Sequence, residues 1–186
     1  PAAPLAADIA AEDISCFGGR DGLISSATTG GTPPYSYSFD NLTFNGSAAQ
    51  VGLMAGSYDL FIRDANGCLI IEPNIVISEP TPLEVDLGPD QTITFGQTIT
   101  LYPDISGSAT PVIFQWWPQD TSLLSCTDCL NPLLTTDHQI SLQLEVTDEN
   151  GCEGEDLITI FVEKDFDVTV PTGFTPNKDG VNDRLI

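Results

Sequence analysis

The sequence predicts an all-β protein of two small β-sandwich modules in tandem, followed by the beginning of a third small β domain. The pentapeptide Asp-Xaa-Asn-Gly-Cys occurs at residues 64–68 and again at residues 148–152, a separation of 84 residues. That separation is about the length of one small β domain. The 14 prolines and 16 glycines are spread along the 186 residues. They leave no long uninterrupted helix, because proline removes a donor and clashes in a helix interior.

Each copy of the pentapeptide lies between two strand-like runs. Tyr58, Leu60 and Ile62 alternate before the first copy, and an apolar run at 69–71 follows it. Residues 140–146 alternate in the same way before the second copy, which also precedes an apolar run. Asn-Gly between such runs predicts a hairpin, because both residues tolerate positive φ. Each module should therefore have a hairpin near its end.

The first module is predicted at residues 12–80, after a small apolar stretch at residues 1–11 that we expect to be a linker. Glycine-rich turns at 18–22 and 30–34 enclose a strand at residues 23–24.

An aromatic strand follows in the first module. Tyr35, Tyr37 and Phe39 alternate with serines, which predicts a half-buried strand. Aromatic side chains on one strand face are more often core than a binding surface. The module ends at Glu79-Pro80-Thr81-Pro82, where two prolines favour a stiff, extended connector.

The second module is predicted at residues 83–163. Its strands are expected at residues 83–87, 98–102, 112–117, 140–147 and 157–162. Trp116 and Trp117 point to opposite faces of one strand. One of them should fill a sandwich core, as in many immunoglobulin-like domains. The other is a surface contact or packs under the loop that holds Cys126.

From residue 165 the composition changes, and residues 165–186 are predicted to begin the third domain. Asn177, Asp179 and Asp183, with the backbone carbonyl of Val181, resemble a partial Ca²⁺ loop. Its first acidic position is occupied by Thr175. The alternative is an Asx-rich turn without a metal. No secretion signal opens the sequence, and a new motif has only begun where it stops, so we expect a fragment of a longer protein.

The charge balance excludes several classes of partner. Asp and Glu number 27 against 5 Lys and Arg, a formal net charge of −22. Such a surface repels phosphate backbones and anionic membranes, so we expect no nucleic-acid binding and no membrane insertion. No stretch reaches the ~18 apolar residues of a spanning helix. The acidic surface favours solubility and can also collect Ca²⁺.

Five cysteines are interpreted here as disulfide-forming, which presumes an oxidising, extracytoplasmic location. Cys16 and Cys68 lie near the two ends of the first module and are predicted to form a disulfide that staples its terminal strands. Cys126 and Cys129 are predicted to form a local disulfide that clips a loop. Cys152 is then free or bonded to one of these two.

No catalytic constellation stands out. Cys126, Cys129, His138 and Cys152 supply four potential zinc ligands, although the spacing is not a paired-knuckle pattern. A C-x2-C redox centre needs a helix that nothing here supplies. His138 is the only histidine, and a lone histidine in a loop is more often solvated than a general base. No nucleophile elbow, P-loop or HExxH helix is present, so we expect no enzymatic activity.

Three segments resemble known families. Most of residues 12–79 resembles the SprB repeat of giant surface adhesins from gliding and related Bacteroidota. The residues that carry this resemblance are 14–22, 30–37, 56–58 and 64–68. Residues 83–163 resemble a PKD-like, immunoglobulin-type module, through residues 87–93, 116–118, 126–132 and 146–152. Residues 171–185 resemble the opening of the type B C-terminal sorting domain of the type IX secretion system.

The resemblance implies pairing and function. In PKD-like modules the cysteine at the position of Cys152 often pairs with one in an early strand, where this sequence has Thr94, so Cys152 is expected to be unpaired. The implied function is a non-catalytic C-terminal stalk and sorting segment of a large cell-surface adhesin, acting in surface attachment and gliding motility. The implied partners are the type IX outer-membrane machinery, contacted by the C-terminal end, and an extracellular surface or polysaccharide. The alternative is a set of accessory modules of a type IX-secreted polysaccharide- or protein-degrading enzyme.

Overall fold

The structure, a computed structural model, describes residues 3–107 and 110–164. These residues form β-strands, turns and loops. The described part of the chain contains no helix, and so none that could cross a membrane. The prediction of an all-β fold is confirmed.

The first module is a sandwich of two antiparallel sheets. Strands β1 (Ala6–Glu12), β2 (Gly22–Thr29) and β4 (Ala49–Leu53) form one sheet in the order β1-β2-β4. Strands β3 (Ser36–Ser38), β5 (Gly56–Arg63) and β6 (Leu69–Ile77) form the other in the order β3-β5-β6. This is the arrangement of strands A, B and E against strands C, F and G in an immunoglobulin-like sandwich.

The prediction that residues 1–11 are a linker is wrong, because β1 occupies most of that stretch. β1 pairs with β2 over its whole length from Ala6 to Glu12. Ala7 and Ile9 pack against the core of the module. The alternation is weak in the sequence because alanine buries little apolar area and carries little hydrophobic signal.

The core of the first module lies between its two sheets. Its buried residues are Ile14, Ile24, Tyr37, Leu60, Ile62 and Ile77. Tyr35 and Phe39 pack against this core from the same strand region as Tyr37, and the Phe39 ring meets that of Tyr58 edge-on at 6.4 Å between centroids. The aromatic run is therefore part of the core, as its alternation predicts.

Asp40 holds the loop that follows β3. Its Oδ1 accepts hydrogen bonds from the N–H groups of Thr43 and Leu42, both at 2.8 Å, and from the Ser38 hydroxyl at 2.7 Å. These bonds, with that from Thr43 contributing most, lower the pKa of Asp40 to about 2. The carboxylate thus takes the place of a backbone acceptor in a turn.

The second module also has two layers. Its strands are β7 (Glu84–Asp86), β8 (Gln91–Thr94), β9 (Thr98–Thr100), β10 (Asp104–Ser106), β11 (Pro111–Trp117), β12 (Leu133–Thr135), β13 (Ile140–Asp148) and β14 (Glu153–Glu163). One layer consists of the pairs β10-β7 and β12-β9, and the other is the sheet β11-β13-β14-β8, in which β8 runs parallel to β14. The short strands β8, β10 and β12 were not among the predicted strands.

Alternation along β13 builds the second core. Leu142, Leu144 and Val146 are fully buried, while the residues between them face outwards. The other buried members of this core are Leu87, Ile93, Leu101, Trp116, Leu124, Leu134, Ile158 and Ile160. No residue of this core belongs to the core of the first module. The two modules therefore bury separate cores.

Candidate functional site: the repeated turn and the junction between the modules

The pentapeptide forms the same hairpin turn in both modules. In the first copy the Gly67 N–H donates to the Asp64 carbonyl at 3.0 Å, and the Asp64 N–H donates to the Cys68 carbonyl at 3.0 Å. In the second copy the equivalent bonds measure 3.1 Å and 3.0 Å. The repeated sequence thus encodes a repeated backbone conformation.

The turn is not the two-residue type in which Asn and Gly both have positive φ. Among its residues only the glycines lie in the left-handed region, with φ of 84° at Gly67 and 82° at Gly151. The Gly N–H closes the turn by donating to the Asp carbonyl, and the same glycine has the left-handed conformation. These two features define the longer hairpin loop with a bulge at the glycine. The hairpin prediction holds, although only the glycine, and not the asparagine, adopts the positive φ on which it was based.

A buried aspartate organises each turn. Asp64 Oδ1 accepts hydrogen bonds from the N–H groups of Asn66 and Cys68 at 2.9 and 2.8 Å. Asp148 Oδ1 accepts the equivalent two bonds at 2.8 and 2.9 Å. The short Asp side chain reaches back to the following backbone in this way, which explains why the motif begins with it.

The two aspartates differ at their second oxygen. Asp64 Oδ2 accepts a hydrogen bond from the Thr32 N–H at 3.0 Å. Asp148 Oδ2 is buried and has no hydrogen-bond partner among the described residues. Burial raises the pKa of Asp64, but the bonds from Cys68, Thr32 and Asn66 together outweigh it and lower that pKa.

Each turn lies at the end of its module where the chain enters. The Gly31 N–H donates to the Ala3 carbonyl at 2.8 Å, and Gly30 lies directly against the Pro4 carbonyl oxygen. In the second module a Cβ at Gly107 would lie 2.6 Å from the Pro82 carbonyl oxygen.

The same backbone contact ties these loops to both turns. Ala65 N–H donates to the Thr32 carbonyl at 2.8 Å, and Glu149 N–H donates to the Thr110 carbonyl at 3.2 Å. The chain therefore enters each module beside its turn through a Pro-Leu dipeptide, which is Pro4-Leu5 in the first module and Pro82-Leu83 in the second.

Cys16 lies at the opposite end of the first module, where the chain leaves it. The Ile14 N–H donates to the Ser78 carbonyl at 3.2 Å, just beyond the end of β6. The Gly18 N–H donates to the Glu79 carboxylate at 3.0 Å. The loop that carries Cys16 is thereby fixed to the connector between the modules.

Cys16 forms a disulfide with Cys152 of the second module, with a Cα–Cα distance of 5.5 Å. The bridge joins the outgoing end of one module to the turn at the incoming end of the next. We call this region the junction: Cys16, Phe17, Pro82, Leu83, Gly151, Cys152 and Glu153, which line one surface depression. The junction thus adds a covalent link to the connector between the modules.

The predicted Cys16–Cys68 disulfide and the predicted unpaired Cys152 are therefore wrong in this structure. Cys68 is the free cysteine and is exposed. It precedes β6, whereas Cys16 lies near the far end of that strand. At roughly 3.3 Å per residue a nine-residue strand separates its ends by more than 25 Å, and a disulfide requires Cα atoms within ~7 Å. Both cysteines lie near an end of the first module in the sequence, but the sequence did not show that they lie at opposite ends of the folded sandwich.

The remaining cysteines form the local pair. Cys126 and Cys129 are joined by a disulfide in the loop after β11. Trp116 is fully buried and its indole N–H donates to the Cys129 carbonyl at 2.9 Å, whereas Trp117 is 40% exposed. The core tryptophan is therefore also the one that contacts the cysteine loop. Of the two alternatives for the other tryptophan, the surface position is the one that the structure shows.

The four potential zinc ligands are not brought together. Three of them are in two different disulfides, and the described ranges contain no cluster of three or more His, Cys, Asp or Glu arranged to hold a metal. His138 is 63% exposed, and its Nδ1 lies 2.6 Å from Asp137 Oδ1. That hydrogen bond lowers the pKa of Asp137. The calcium candidates Asn177, Asp179 and Asp183 lie outside the described residues.

A second, open depression of about 520 Å³ lies on the outer face of β11, β13 and β14. Gln115, Glu145 and Glu155 contribute polar side chains to it. The Gln143 amide donates to Glu155 at 2.7 Å. This polar row is a cross-strand network on an exposed sheet face.

Comparison with known proteins bears on the family and the fold. Residues 9–44 match the family model of the SprB repeat, which is consistent with a cell-surface protein of the adhesin type. No curated protein matches the sequence. The three N-terminal domains of the highly immunogenic outer capsid protein of bacteriophage RB49 are similar in structure, with a TM-score of 0.51 and 12% identity over 86% of this chain and 59% of that chain.

Two further structures have lower scores. The titin I-band fragment I67-I69 has a TM-score of 0.42 and 14% identity, over 87% of this chain and 66% of that chain. Extracellular domains 3–5 of Drosophila OTK have a TM-score of 0.41 and 12% identity, over 85% and 62%. The chain thus spans less than two thirds of the length of each of these proteins. At such identities the likeness to the phage protein concerns the fold alone.

Proposed function

We propose that this chain is a non-catalytic stalk and sorting segment from the C-terminal region of a large cell-surface adhesin of Bacteroidota. It is exported by the type IX secretion system and serves surface attachment and gliding motility. The observation that carries the proposal is the SprB-repeat match at residues 9–44, found in a module bridged covalently to the next one. The extracellular surface or polysaccharide that the adhesin contacts is part of the same proposal.

The architecture supports a mechanical role. In the first module the chain enters beside the Asp64 turn and leaves beside Cys16, at the opposite end of the sandwich. Modules with such opposed ends connect in series and transmit tension along their length. The disulfide between Cys16 and Cys152 secures the junction in addition to the Pro-rich connector. An extracellular location suits such a bridge, because disulfides persist in oxidising compartments.

The non-catalytic part of the proposal rests on the chemistry of the described surface. The single histidine is exposed and paired with its neighbour Asp137. The larger depression is lined by residues of a regular sheet face, with Gln143 bonded to Glu155 beside it. This is a structural hydrogen-bond network of the kind that holds neighbouring strands.

The sorting role rests on the resemblance of residues 171–185 to a type B sorting domain, and it has a direct test. The full-length protein is truncated after Glu163, and the amount at the cell surface is compared with that of the intact protein. Loss from the surface with retention inside the envelope is expected. A matched variant with Asn177→Ala, Asp179→Ala and Asp183→Ala tests whether these side chains shape the signal. Normal surface amounts of the truncated protein would remove the sorting role from the proposal.

A further inference from the structure

Cys68 occupies the same place in its module as the bonded Cys152 does in the next. Both follow the left-handed glycine of the repeated turn, and both donate their N–H to the turn aspartate, at 2.8 and 2.9 Å. Cys152 is bonded to a loop of the preceding module and is 8% exposed. Cys68 is free and exposed. The second module's turn uses its cysteine in a disulfide with the preceding module, and the equivalent cysteine of the first module is free to form one.

The surroundings of the two cysteines also correspond. Pro82 and Leu83 line the junction beside Cys152. Pro4 and Leu5 enter the first module at the same position relative to its turn, with Pro4 against Gly30 as Pro82 is against Gly107.

One position of this surface differs between the modules. The residue after Cys68 is Leu69, which is 42% exposed, whereas Glu153 follows Cys152. The first module thus presents a copy of the surface that receives Cys16 and Phe17 in the second, with an additional apolar side chain left uncovered.

We propose that Cys68 forms a disulfide with a loop cysteine of a further module of this kind, which precedes residue 3 in the polypeptide. The proposal rests on the serial arrangement of modules in the proposed function and extends it to a repeated covalent junction. The donor loop would carry its cysteine as Cys16 is carried here, followed by an apolar residue in the position of Phe17. The occupant of this surface is therefore another SprB-like module of the same protein.

The bond forms by oxidation of two thiols. Both S–H bonds break and one S–S bond forms, with release of two protons and two electrons. The electrons pass to a thiol oxidoreductase in its disulfide form, which is reduced to the dithiol. An extracytoplasmic compartment supplies such oxidants.

The series of bridges ends at the second module. Cys16 lies between β1 and β2, and the corresponding stretch of the second module, between β7 and β9, contains no cysteine. The second module can accept a bridge through Cys152 but has no cysteine at the position of Cys16, and its two other cysteines are bonded to each other. The proposed series of disulfides between modules therefore ends at the second module, before residues 165–186.

A tandem chain tests the proposal. A second copy of residues 3–80 is placed directly before Ala3 of the full chain, in place of Pro1 and Ala2. The new connector then reads Glu79-Pro80-Ala3-Pro4-Leu5, with the same spacing as Glu79-Pro80-Thr81-Pro82-Leu83. The protein is produced in an oxidising compartment and mapped by mass spectrometry of its peptides without reduction.

The expected map links Cys68 of the original copy to Cys16 of the added copy. The Cys16–Cys152 peptide in the same map shows that the parent junction has formed. A thiol assay then finds one free cysteine, as in the parent chain, and Cys16→Ser in the added copy raises this to two. Three free cysteines in the tandem chain, a Cys16–Cys68 link within one copy, or a Cys68–Cys68 link between chains would each overturn the proposal. None of these results depends on surface export, so they are separate from the test of the proposed function.

Discussion

Removing the bridge between the modules should destabilise the protein, and removing Cys68 should not. Cys16 and Cys152 are 136 residues apart. A cross-link over a loop of that length lowers the entropy of the unfolded chain, which stabilises the folded state by about 5 kcal/mol in the chain-entropy treatment. Measured stabilisation by a disulfide more often lies at about 2–4 kcal/mol. We therefore expect Cys152→Ser to lower the free energy of unfolding by about 2–5 kcal/mol.

The assay is urea denaturation without reductant, followed by the fluorescence of the buried Trp116. Cys16→Ser should have the same effect as Cys152→Ser, since either substitution removes the same bond. The double variant should be no less stable than the singles, because the two positions act only as a pair. Cys68→Ser is the matched control and should change stability by no more than about 0.5 kcal/mol, as expected for an exposed side chain.

Two results would refute this reasoning. If Cys68→Ser were as destabilising as Cys16→Ser, then Cys68 would take part in a structural bond. If the effects of Cys16→Ser and Cys152→Ser added in the double variant, the two cysteines would be acting independently. Either result would restore a pairing within the first module or leave the junction without a covalent link.

Three further predictions concern single side chains. Trp116→Phe should destabilise the second module by about 1–3 kcal/mol, because the part-buried Cys129 carbonyl loses its donor. Trp117→Phe on the exposed face should cost less than about 0.5 kcal/mol in the same denaturation assay. Asp40 has a folded pKa of about 2, below its unfolded value, so its contribution to stability is complete above pH ~4 and is lost as the pH falls through about 2. A carboxyl titration of Asp40 by NMR checks this, and a titration midpoint near 4 would contradict it. Asp64→Asn should lower the melting temperature more than Asp148→Asn, because only Asp64 uses its second oxygen as an acceptor; equal shifts would contradict this difference.

Much of the fold was readable because strand periodicity is local. The alternation of Leu142, Leu144 and Val146 in β13 predicts a strand with one buried face, and the structure buries those side chains. The repeated pentapeptide predicts two hairpins, since Gly and a short acidic side chain are what such a turn requires. Trp116 and Trp117 were correctly expected on opposite faces.

What the sequence did not reveal depends on position in three dimensions. β1 was missed because its inward residues include alanine, whose hydrophobic signal is weak. The pairing of Cys16 was missed because both cysteines of the first module lie near a module boundary in sequence but at opposite ends of the sandwich. One signal could have corrected it: strands β5 and β6 form a hairpin, so the turn that precedes Cys68 must lie a full strand length from the end of β6.

Cleavage at the single methionine tests the covalent junction most directly. Met54 is the only methionine and lies between Cys16 and Cys68, so cyanogen bromide separates Cys16 from every other cysteine of the chain. The cleavage is performed on the Cys68→Ser variant and analysed in denaturant. The bridge to Cys152 predicts one species of full mass without reductant and two fragments after reduction. Two fragments before reduction would show that Cys16 is not bonded to the second module.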